Sequence, residues 1–68
     1  MNEVRIYRDY GALVVFEPIT ERAYQWFDDN VQSTSEQWVA GTLAVDCVYA
    51  NNIINKARRA GLVIIEAS

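Results

Sequence analysis

One cysteine and no histidine among 68 residues leave this chain without a staple. Cys47 has no second thiol to pair with, and a structural zinc site needs several His or Cys ligands. A chain this short buries only about 60% of the surface its unfolded form exposes, so its stability must come from dense packing or from a partner. The composition supplies the first: 51% of residues are apolar, with two Trp, four Tyr and two Phe. One compact domain over residues 1–68, with one core, is expected.

No run of 18 or more apolar residues is present, so the chain is not expected to span a membrane. The opening Met1-Asn2-Glu3-Val4-Arg5 lacks the basic and apolar regions of a secretory signal. A lone thiol also suits a reducing compartment, and a cytoplasmic location is expected.

Alternation in Val4-Arg5-Ile6-Tyr7-Arg8 predicts a strand, and Asp9-Tyr10-Gly11 a turn. The unbroken apolar run from Ala12 to Phe16 predicts a central strand covered on both faces. Thr20 is expected to cap a first helix, with Ile19 packing on Tyr24 as a hydrophobic staple and Glu21 favoured by the helix dipole. Ile19, Ala23, Phe27 and Val31 form its apolar stripe, which Tyr24 and Trp26 widen. Residues 30–36 are polar and read as a loop. Trp38-Val39-Ala40 is expected as a strand that bends or bulges at Gly41-Thr42 and continues through Leu43 to Val45. Asp46 then caps a second helix reaching about Ala60, with Tyr49, Ile53, Ala57 and Ala60 inward, joined by Ala50 and Ile54. Lys56, Arg58 and Arg59 suit its last turns, Gly61 stops it, and Leu62 to Ile65 close the chain as a buried strand. The order β-β-α-β-α-β predicts an α+β fold: a mixed sheet of about four strands with both helices packed on it.

Catalytic groups are scarce. Without His there is no imidazole base and no Ser-His or Cys-His pair. Three isolated glycines make no phosphate-cradling loop. Cys47 lies where a helix dipole stabilises a thiolate, yet beside Val48 it reads as a small buried hydrophobe. Asp28-Asp29 resembles a carboxylate pair for acid/base work or Mg²⁺, but adjacent helical residues point about 100° apart and only Glu36 and Asn30 lie near in sequence. No enzyme activity, metal or cofactor is expected. Two carboxylates in a helix's last turn nevertheless oppose its dipole, at a cost of about 0.3–1 kcal/mol each, and such local conflicts tend to mark function.

Charge is sorted along the chain. Residues 9–46 hold Asp9, Glu17, Glu21, Asp28, Asp29, Glu36 and Asp46 against Arg22 alone, a net −6, while the flanks carry +1 and +2. Such a stretch is either solubilising surface or a face that recognises a basic patch on another protein, in its sharpest form by imitating DNA phosphates. Direct nucleic-acid binding through Arg5, Arg8, Lys56, Arg58 and Arg59 is disfavoured by the acidic balance. Asn51, Asn52 and Asn55 read as neutral filler on a helix face.

The expected partner-binding residues are Glu17, Glu21, Asp28, Asp29 and Glu36, with Trp26 as an aromatic anchor. The expected partner is a larger protein with a basic surface, such as a nucleic-acid-binding complex. Very small acidic proteins without catalytic groups are similar, as a class, to phage and mobile-element inhibitors of host enzymes, anti-CRISPR proteins and other DNA mimics included. The alternative is a homodimeric structural or regulatory accessory domain, in which apolar strands or Trp38 pair across a two-fold axis.

Overall fold

The structure, a computed structural model, describes residues 2–31 and 38–66, with the side chains of Asp9 and Tyr10 left out. Strand β1 (Val4–Tyr10) turns Val4 and Ile6 into the core and pairs antiparallel with β2 (Leu13–Pro18), setting Ile6 opposite Phe16 and Arg5 opposite Glu17. The register shifts between Tyr7 and Tyr10, so Asp9 belongs to the irregular end of β1 and the turn falls at Gly11-Ala12 instead. β2 is the middle strand, but only one of its faces is covered. Val14, Phe16 and Pro18 are buried, whereas Leu13 is 45% exposed and Val15 and Glu17 are half-buried. An apolar run permits two-sided burial without requiring it, and here the helices supply one side.

Helix α1 (Glu21–Asn30) starts where expected. The Thr20 side chain accepts from the Ala23 amide at 3.1 Å, and its hydroxyl donates to the Glu3 carboxylate at 3.2 Å. Ala23, Phe27 and Val31 are buried, but Ile19 stays exposed ahead of the helix, and the Tyr24 ring stacks on Trp38. Phe27 meets Phe16 with ring centroids 5.5 Å apart, and burying each of these rings contributes about 1.5–3 kcal/mol.

The segment around Gly41 is a tight hairpin rather than a bulged strand. β3 (Trp38–Val39) pairs with β4 (Thr42–Asp46), Val39 opposite Thr42, through the two residues Ala40 and Gly41. Both take positive φ, 52° and 80°, as a type I′ turn demands. Asn or Asp is usual at the first of these positions; Ala40 holds it at a conformational cost of about 1–2 kcal/mol, so the turn leaves a weak trace in the sequence. That hairpin adds a fifth strand, and the sheet runs β3-β4-β2-β1-β5.

Asp46 caps α2 (Cys47–Arg59) through a bond from the Val48 amide at 2.9 Å. The buried stripe is Ala50, Ile53, Ile54 and Ala57; Tyr49 and Ala60, expected inside, are exposed. Two spacings three and four apart begin at either Tyr49 or Ala50, and the small residue is the one that lets the helix approach the sheet. Gly61, at φ 88°, ends the helix in a Schellman motif: its amide bonds the Arg58 carbonyl and the Leu62 amide bonds Ala57, both at 3.0 Å. Leu62 is thereby buried. β5 (Ile64–Glu66) runs parallel to β1 at the sheet edge, with Ile64 and Ile65 only half-buried. The fold is thus α+β, a mixed five-stranded sheet with two helices on one face. No helix among the described residues is long and apolar enough to cross a membrane.

Candidate protein-interaction face

Residues three, four and seven apart share one side of a helix, so Glu21, Tyr24, Gln25 and Asp28 line up along α1. The β3–β4 hairpin brings Trp38 against that side, and these five residues line an open groove of about 470 Å³. Its aromatic wall is fixed from several directions. Tyr24 stacks on Trp38 with ring centroids 6.0 Å apart and planes at 23°, and Trp38 meets Phe27 edge-on at 6.4 Å. The Tyr24 hydroxyl donates to the Gly41 carbonyl at 3.0 Å. A Cβ at Gly41 would lie 2.6 Å from that hydroxyl, so a side chain there would push the tip of Tyr24 aside as well as strain the turn. Tyr24 keeps 43% of its surface exposed while so held.

The electrostatics of the groove are one-sided. Arg22, the single base of the acidic stretch, stands on another side of α1, 3.6 Å from the Glu3 carboxylate, and donates to the Ala60 carbonyl at 3.3 Å. Among the described residues no ion pair engages Glu21, Asp28 or Asp29. Two carboxylates beside an anchored aromatic pair can attract a cationic side chain and offer it a ring face as well.

The structure brings together only part of the expected face. Glu21 and Asp28 share the groove. Asp29 points about 100° further round the helix and accepts from Gln25 at 3.0 Å. Glu17 lies on the opposite side of the sheet, because the pleat that buries Phe16 and Pro18 sends it outward, where it meets Tyr7 at 2.9 Å and Arg5 at 3.6 Å. Glu36 lies outside the described residues. Trp26 is half-buried, packed edge-on to Phe27 at 5.3 Å, and does not line the groove. Tyr24, Gln25 and Trp38 take the places that sequence reasoning missed. The spacing of Glu21, Tyr24, Gln25 and Asp28 was a usable signal; the position of Trp38 depended on the hairpin.

The bases do not form one face. Arg5 faces Glu17 on the outer sheet surface, and Arg8 pairs with Glu66 at the other edge. Arg8 and Arg58 line a second, polar groove with Asn51, Asn55 and Glu66, so two of the three asparagines border a concave surface. Cys47 is half-buried against the core rather than enclosed, and its amide bonds the Ala12 carbonyl at 2.8 Å. Among the described residues no three His, Cys, Asp or Glu side chains converge to hold a metal ion.

No family model, curated protein or solved structure matches the chain.

Proposed function

We propose that this protein is a non-catalytic interaction module that docks an acidic, aromatic groove onto a basic surface of a larger protein. It acts as a stoichiometric inhibitor of the DNA-mimic kind found among phage and mobile-element products, with a nucleic-acid-binding complex of the cytoplasm as its target. The observation that carries this reading is the meeting of Glu21 and Asp28 with Tyr24 and Trp38 in one groove, with no cation paired to either acid among the described residues. The placement of Asp28 and Asp29 in the last turn of α1, against the helix dipole, fits the same reading: the local conflict is tolerated where the acids serve a partner. Complementary potentials raise the association rate and lose that advantage as salt rises, while the aromatic pair supplies desolvated contact area.

A tagged pull-down from a bacterial lysate at low and high salt, read by mass spectrometry, tests the proposal. It expects one large protein or complex with a basic groove, retained at low salt, depleted at high salt, and lost when Glu21 and Asp28 are both changed to Lys. Retention of the same protein by that double variant would remove the groove from the account.

A further inference from the structure

The outer face of the sheet is a surface the proposed function leaves unused. Both helices lie on the other side. Register places the apolar Leu13, Val15, Val39, Ala44 and Ile65 on this face beside Arg5, Tyr7, Glu17, Thr42 and Asp46. Val39 is 65% exposed, and Val63, in step with Ile65 just ahead of β5, is also exposed. A solvent-facing sheet normally alternates to polar residues, and here about half of the face is apolar instead.

We infer that this face docks a second copy of the same chain, about a two-fold axis that sets Arg5 of each copy against Glu17 of the other. Charge selects the occupant. Arg5 and Glu17 are direct cross-strand neighbours, 3.6 Å apart, and cancel each other's charge, while Asp46, on the same face by register, accepts from the Val48 amide as the cap of α2. A basic partner drawn by the acidic groove finds no matching potential here. A two-fold axis running along the strands between β1 and β2 lays an Arg–Glu pair on a Glu–Arg pair and joins four charges in alternation. Tyr7, whose hydroxyl donates to Glu17, holds that carboxylate in place.

Size sets the strength. Five strands spaced about 4.8 Å apart and two to seven residues long give a face of roughly 350–400 Å², so a pair buries about 700–800 Å² in all, smaller than a standard specific interface. The pair is therefore weak and concentration-dependent, and a small domain without a staple gains stability from it by mass action.

Sedimentation equilibrium of the full chain decides it, with thermal melts confirming that each variant is folded. The wild type is expected to be largely dimeric by about 500 µM. Arg5→Glu and Glu17→Arg should each weaken self-association about tenfold or more, since each sets like charges together. An equimolar mixture of the two variants should recover the dimer, because one copy then presents two acids and the other two bases. Three results would overturn the inference: a wild type still monomeric at about 500 µM, a dimer indifferent to both reversals, or a mixture that fails to recover. A monomeric wild type that loses a captured lysate protein on Arg5→Glu would assign the face to a foreign partner. The sedimentation outcomes do not bear on the groove, which lies on the far side of the sheet, whereas loss of a captured protein on Arg5→Glu would count against it.

Discussion

The two sides of this molecule treat their acids in opposite ways. On the outer sheet face Glu17 is neutralised in place by Arg5 and tied by Tyr7. Along α1, Glu21 and Asp28 face an anchored pair of rings, with the nearby Arg22 turned to Glu3 and Ala60. A run of like charge in the sequence is therefore not a face. Strand pleat sends Glu17 to one layer and helical spacing gathers Glu21 and Asp28 on another, so one chain of net charge −3 has a sheet side where Glu17 is paired and a helix side where two acids share an aromatic groove.

Both sides rest on the same core, and the largest expected effect erases the distinction. Phe27 touches Phe16 of the sheet and Trp38 of the groove. Phe27→Ala should cost about 3–5 kcal/mol, close to the whole stability of a small domain, and urea denaturation should show both surfaces lost together. Gly41→Ala should separate them. Its φ of 80° and the 2.6 Å approach to Tyr24 make a Cβ costly, by about 1–3 kcal/mol in the same assay. It should displace Tyr24 and weaken partner binding while leaving self-association intact. Thr20→Ala probes the tie between the layers, because Thr20 caps α1 and also bonds Glu3 at the entry to β1; a loss of about 1 kcal/mol is expected from the cap. The smallest effect is a gain. Ala40→Asn should stabilise the hairpin by about 0.5–1 kcal/mol, since Asn tolerates the positive φ that Ala40 adopts, and a higher melting temperature would show it.

What the sequence reveals follows from how local each device is. The caps at Thr20, Asp46 and Gly61 are legible because a side chain and the next turn of backbone settle them. The rotation of the α2 stripe from Tyr49 to Ala50 is not, because only the distance to the sheet decides between two apolar starts. The outward direction of Glu17 was legible in principle: it alternates with Phe16 and Pro18 along β2. The groove was half legible. The α1 spacing aligns Glu21, Tyr24 and Asp28, whereas Trp38 reaches them through a turn whose first residue, Ala40, gives no usual signal for it.

The most direct test of the two-sided account is a set of parallel pull-downs with the wild type, the Glu21→Lys/Asp28→Lys double variant and Arg5→Glu, all at low salt. The account predicts that the captured basic partner disappears with the double variant and remains with Arg5→Glu. A partner kept by the double variant, or lost with Arg5→Glu, would contradict it.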